Sequence, residues 1–427
     1  MFTQSLQRTT LANGLTILVK PVLTAPVASI WLWYRVGSRL EVPGITGASH
    51  WVEHMLFKGT EAFPSGEADR QVARVGGVRN AMTWIDFTTY YQTVPAEHFE
   101  LALQIEADRL VNSRFDPAEV ESERTVIISE RQGAENEPLF LLDEEIRAAA
   151  FKVHGYHHGT IGWQCDLEQM TREDLFNHYR RHYTPRNAVV VAVGPFDGPE
   201  VIEKITAYFG QIEAGPALPP ERSVEPPQAG ERRVIRRGPG DTVYLAAAYH
   251  VPAATHPDHF PLVVMDTILG GASAMGMFAD AEPSRSSRLY RALVETGLAA
   301  DVGTQLAPTV APFLYTLNVT VQAPAEPEAV EAALLAEVQR MVEAPVSEAE
   351  VAKAIKQTQA EFVYGAESVT DQAYWLGFSE IVASQSWLDS YLERLAAVTP
   401  EDVQRVAATY LGADQRTIGI FLPEELS

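Results

Sequence analysis

"FDPAEVESERTVIISERQ", residues 115–132, has a counterpart 231 positions later in "VSEAEVAKAIKQTQAEFV", residues 346–363. Each opens with a turn and an acidic cap signal and then runs as a helix. In the first, Asp116 caps, Pro117 takes the first helical position and Glu119 the third; Ser347-Glu348-Ala349-Glu350 does the same job in the second. Further helical patterns precede them, at 99–112 and 330–342, and before those come the strand-like "TTYYQTV" (88–94) and "LYTLNVTV" (314–321). Each half also opens on strands, "GLTILVK" and "ASIWLWYRVG" in the first and "VYLAAAYHV" in the second, and "NAVVVAVG" closes the first. The repeat predicts an α+β chain of two related domains, each a mainly antiparallel sheet covered by helices, arising by internal duplication.

Length agrees, since 427 residues exceed one ordinary domain and suit two of roughly 200. The proline-dense stretch from Glu213 to Arg233 reads as the link. Expected boundaries are therefore 1–213, a linker at 214–232, and 233–427. With 46% hydrophobic and 21% charged residues, and no apolar run near the roughly 18 residues of a membrane span, the composition is globular. The start lacks a secretory pattern, so a cytoplasmic location is expected, or a periplasmic one if a leader has been removed. One cysteine, Cys165, excludes an intrachain disulfide and any multi-cysteine metal site, leaving His, Asp and Glu as ligands. A net charge of −23 argues against nucleic acid and would welcome a cationic peptide, although it also serves solubility alone.

In "GASHWVEHMLFKGT", residues 47–60, a helix is expected over 47–57, capped near Thr46 and stopped by Gly59. Val52, Met55 and Leu56 share one face, and His50, Glu53, His54 and Phe57 the other. The two histidines lie one turn apart and could hold one ion, but a catalytic zinc takes three protein ligands. On spacing alone, two hydrogen-bonded core histidines fit as well. The 115–132 helix brings Glu123 and Glu130, seven apart, about 20° from eclipsed and roughly 10.5 Å along the axis. Glu130 follows an apolar run where an unpaired charge would be costly. Arg124 and Arg131 are near enough in sequence to offer ordinary salt bridges instead.

With both helices in place the chain resembles the pitrilysin and insulinase type of zinc peptidase, the inverzincins, with H-x-x-E-H and a distant ligand glutamate. Here the motif is His50-Trp51-Val52-Glu53-His54, with Glu130 76 residues on. "LANGLTILV", "GSRLE", "GGVRNAMTWIDFTTYY", "RTVIISERQ" and "HYTPRNAVVVAVG" look like the family's successive blocks. Length and duplication point to the smaller members resembling mitochondrial processing peptidase. The resemblance implies zinc (Zn2+) on His50, His54 and Glu130, with Glu53 as general base toward water activated by the metal. It places Glu123 beside the catalytic group, orienting a ligating histidine or tuning the metal. Asn80 and Ala81 resemble the family's edge segment that holds substrate backbone; the alternative makes Asn80 a turn residue after Gly76 and Gly77. The loop "HGYHHGTIG", residues 154–162, has no ligand role in the family's pattern.

The second half departs from it. Single-chain members read approximately S-R-L-Y-x-x-L-R-E-x-x-G-L-A-Y where this chain has "SRLYRALVETGLAAD", and their Arg and Tyr bind the substrate and its scissile carbonyl. Val294 and Ala300 occupy those positions and cannot donate a hydrogen bond from the side chain. Arg291, three residues earlier, is the nearest substitute. The resemblance therefore implies a zinc-bearing metalloendopeptidase subunit in a heterodimer with a related chain that supplies Arg and Tyr, weakly active or inactive by itself. A non-catalytic assembly subunit of the same fold, or a module that holds peptides without cutting them, is the alternative. No H-E-x-x-H, G-x-S-x-G or phosphate-loop motif occurs.

Overall fold

The computed structural model describes residues 4–218, 220–272 and 285–424. They form two compact units, one of residues 4–132, 158–218, 220–223 and 366–389, the other of residues 133–157, 224–272, 285–365 and 390–424.

The first unit holds six strands: β1 (Gln7–Thr10), β2 (Thr16–Pro21), β3 (Val27–Tyr34), β4 (Val78–Thr83), β5 (Thr88–Pro95) and β6 (Ala188–Gly194). Their order is β1-β2-β6-β3-β5-β4; β2 and β6 run parallel and every other pair antiparallel. The near-continuous apolar runs of β3 and β6 suit strands covered on both faces. On one face Ile30, Leu32 and Tyr34 join Trp51, Val52 and Leu103 in the core. On the other, Trp31 stacks on Tyr91 with ring centroids 4.2 Å apart, and Tyr374 meets both Trp31 and Trp33. Tyr374 belongs to the helix Val369–Val382, whose Gly377 comes so close to Trp33 that an added Cβ would lie 2.0 Å from the indole nitrogen.

The second unit has five strands: β7 (Arg232–Gly238), β8 (Tyr244–Val251), β9 (Ala299–Leu306), β10 (Phe313–Val321) and β11 (Arg416–Pro423). Their order is β7-β11-β8-β10-β9, with β7 and β11 parallel. This repeats β2-β6-β3-β5-β4, so the duplication extends to strand order and pairing sense. Both sheets are mixed rather than purely antiparallel, each carrying one parallel pair. The 231-residue offset takes the helix Pro117–Ala134 onto Glu348–Tyr364, and Pro138–Ala150 onto Val369–Val382. The last two are exchanged: Pro138–Ala150 packs on β7 and β11 in the second unit, and Val369–Val382 on β3 and β6 in the first. Between Phe209 and Arg232 no helix or strand is formed among the described residues. Among the described residues no helix is long and apolar enough to cross a membrane.

A buried carboxyl lies in the second unit. Asp266, on the helix His259–Leu269, has its pKa pushed up to about 6 by burial, against the opposing pull of the Thr304 and Tyr315 hydroxyls. A folded-state pKa above the unfolded value makes the folded chain bind the extra proton. Stability from this group is therefore present below about pH 4 and is lost as pH rises through about 6. Asp266→Asn should raise stability near pH 7 by up to about 3 kcal/mol and lose that advantage by about pH 4. Urea unfolding at the two pH values checks it, and an equal gain at both would contradict the account.

Candidate metal centre

Helix α1 spans Ala48–Met55, shorter than the expected 47–57. Its N-cap is Gly47 in the left-handed region (φ 89°), not Thr46, and Phe57 and Lys58 leave it through tight bonds to the His54 and Met55 carbonyls. The capping acceptor comes from outside the helix: the buried Glu41 carboxylate accepts from the Gly47 and Ser49 amides, each at 2.7 Å. Local sequence gave no sign of a cap six to eight residues upstream.

The expected division of faces holds. Ala48, Trp51, Val52 and Met55 are buried, while His50, Glu53 and His54 are partly exposed. From the helix Pro117–Ala134, Glu130 comes to the same place. Its Oε2 is 3.8 Å from His50 Nε2 and 3.6 Å from His54 Nε2, and the ligand atoms of the three residues lie within 4.8 Å of one another. Tetrahedral ligands at about 2.0–2.2 Å from a zinc ion sit roughly 3.3–3.6 Å apart, so this donor set fits with little adjustment.

Protonation favours the same conclusion. Burial, aided by His54, lowers the His50 pKa to about 4, which keeps the imidazole neutral as a ligand must be. His54 Nδ1 is 2.9 Å from Glu123 Oε2; with the proton on Nδ1, the Nε2 lone pair faces Glu130. Glu123 is buried, and burial alone would raise its pKa, but hydrogen bonds from Lys58 and His54 outweigh this and hold it below the usual carboxylate range. Glu130 is exposed, so the burial cost expected there falls on Glu123. Arg124 instead bonds Glu121 and the Met170 carbonyl, and Arg131 donates to the Gly162 carbonyl at 2.6 Å.

Glu53 is not among the three converging ligands. Its Oε2 accepts from Thr83 Oγ at 2.6 Å, and burial pushes its carboxyl above the ordinary range against that bond. Thr83 is the last residue of β4, the free edge of the sheet. Asn80 and Ala81 also belong to β4, which removes the turn alternative; Asn80 Oδ1 accepts from the Ala81 amide at 2.9 Å. Lys58 and Thr83 were missed in the sequence. Lys58 follows the histidine motif and pairs with Glu123, whereas Thr83 is reached only through the sheet register. In the second unit, Val294 ends the short π-helix Tyr290–Val294, Ala300 lies on β9, and Arg291 donates to the Ser286 carbonyl at 3.1 Å.

Residues 17–162 match the insulinase family (peptidase family M16), and residues 169–358 match the peptidase M16 inactive domain. The chain belongs to the M16 peptidase family. Across nearly their full lengths it is similar to a zinc protease, PqqE, of Helicobacter pylori (28% identical; 97% of this chain, 92% of the relative). An uncharacterised zinc protease of Streptomyces coelicolor is 28% identical over 96% of this chain and 88% of the relative. A mitochondrial-processing peptidase subunit beta of Blastocladiella emersonii is 26% identical, over 95% and 86% respectively. Among solved structures, a protease from Helicobacter pylori superposes with a TM-score of 0.92 at 27% identity, covering 98% of this chain and 99% of that one. An M16 inactive-domain structure from Pseudomonas fluorescens shares the fold, with a TM-score of 0.86 at 18% identity. The cluster of His50, His54 and Glu130 fits a zinc site.

Proposed function

We propose that this M16 chain is a zinc-dependent endopeptidase subunit acting on extended or unfolded peptides. The observation that carries the reading is the convergence of His50, His54 and Glu130, with Glu53 beside them and outside the ligand set. Zinc, when bound, supplies Lewis acidity and makes water a nucleophile at neutral pH. Glu53 takes the proton of the attacking water and delivers it to the leaving amine, a task suited to a carboxyl whose pKa stands above the ordinary range. Thr83 fixes which oxygen of Glu53 is free, and Glu123 orients His54.

The edge strand β4 supports the peptide reading. The Ala81 amide is bonded to the Asn80 side chain, so it points away from β5 and toward the free edge. A peptide added along this edge would exchange backbone hydrogen bonds whatever its sequence and would run toward Thr83 and Glu53. Asn80 and Ala81 are the substrate-binding residues of this reading. A related chain supplying Arg and Tyr completes it, because Val294 and Ala300 lack donors. The inactive-domain match covers residues 169–358 and includes neither the motif helix nor Glu130, so it does not favour a non-catalytic subunit. The test is metal content and hydrolysis of an unstructured peptide. Chelation should abolish turnover and stoichiometric zinc restore it; turnover that survives chelation would sink the proposal.

A further inference from the structure

His158 belongs to the histidine-rich loop that the sequence leaves without a role. It is buried, and its Nε2 lies 3.0 Å from Glu41 Oε2, the carboxylate that caps α1. The rest of the loop follows the same helix end. The Trp163 amide donates to Thr46 Oγ at 2.9 Å, and Thr46 is held in turn by Asp166. Two glycines let the chains meet: a Cβ on Gly47 would lie 2.5 Å from the Ile161 carbonyl oxygen, and one on Gly162 2.2 Å from that of Thr46. Both have positive φ, 89° and 80°.

The loop also grips the other ligand helix. Arg131, the residue after Glu130, donates to the Gly162 carbonyl, and its guanidinium lies 5.8 Å from the Trp163 ring centre. Residues 158–163 thus touch the start of the helix that carries both histidines and the end of the one that carries the glutamate. His50 depends on this most. Its Nδ1 is buried with no hydrogen-bond partner among the described residues, so its ring direction comes from the placement of α1, whereas His54 has Glu123.

We propose that residues 158–163 are a spacer that sets Glu130 against the two imidazoles, with His158 and Arg131 as positioning residues for the metal site. The inference rests on the reading of His50, His54 and Glu130 as metal ligands. Loss of a group that holds a ligand directly weakens metal binding by roughly 10–100-fold, and these contacts, which act through the helix ends, should approach the lower figure.

The test is cobalt(II) titration of the full chain against a competing chelator, followed by the visible absorption of the bound ion. Arg131→Ala and His158→Ala should each lower cobalt affinity about tenfold and alter the band, and His158→Gln, which keeps a donor near Glu41, should restore both. Unchanged affinity in both alanine variants overturns the spacer, as does a loss in His158→Ala that His158→Gln leaves uncorrected. Should an alanine variant fail to fold, Arg131→Gln, which falls short of the Gly162 carbonyl, takes its place, with the same loss expected and unchanged affinity overturning the inference. A wild-type chain that binds no cobalt would instead refute the metal centre itself.

Discussion

Glu53→Gln should retain a full complement of zinc and a melting temperature no lower than that of the wild type while peptide hydrolysis falls by about 10²–10⁴-fold. The first two expectations follow from where the side chain sits. Glu53 contributes no atom to the converging cluster, so its replacement leaves the ligands in place. Glutamine has nearly the same shape, and its carbonyl oxygen can still accept from Thr83, which preserves the hydrogen bond that Thr83 donates to this side chain. The loss of rate follows from chemistry, since an amide cannot take a proton from water at neutral pH. The experiment also separates this role from that of the ligands: His54→Ala should lose metal and turnover together. Residual turnover above about a tenth of wild type, in a Glu53→Gln sample shown to hold zinc, would remove Glu53 from the mechanism.

What could be read before the structure was local. His50, Glu53 and His54 fall on one helical face because the period of 3.6 residues puts them there, and the Asp116-Pro117 start fixes the helix that bears Glu123 and Glu130. The long strands were legible from apolar runs such as "AVVVAVG". β7 was not, and β4 was marked as an edge only through the resemblance at Asn80 and Ala81. β7, "RRVIRRG", is dominated by arginine, and β4, "VRNAMT", mixes polar and small residues, as edges that must resist pairing often do. The parallel pairs escaped notice because β2 and β6 are joined across most of the first half of the chain, and spacing carries no trace of such a pairing. The same holds for Glu41 with His158 and for Glu53 with Thr83, contacts 117 and 30 residues apart. The exchanged helix Val369–Val382 did leave a signal, since the offset of 231 residues points to it from Pro138–Ala150. Its fourteen residues include nine buried ones, which hides any amphipathic period.

The chain by itself should hydrolyse an unstructured peptide slowly, and Val294→Arg with Ala300→Tyr should raise that rate by about 10²-fold or more. The argument starts from what stabilises charge on a scissile carbonyl. A single well-placed donor is worth about 10²–10³ in kcat, so a chain that lacks two cannot be fast without help. On the resemblance drawn from the sequence, Val294 and Ala300 stand where single-chain members would carry an arginine and a tyrosine, and neither side chain donates. Both positions tolerate the change: Ala300 is exposed on β9, and Val294 is only half-buried at the end of its short helix. The substitutions therefore add donors without opening the core, and the melting temperature should stay within a few degrees. Whether the new donors act within one chain or on another copy does not alter the readout. Arg291→Ala distinguishes the remaining possibility, that the exposed Arg291 already does this work; it should leave the slow rate unchanged. A wild-type chain that is fast alone and gains nothing from the double substitution would remove the need for a partner and the heterodimer with it.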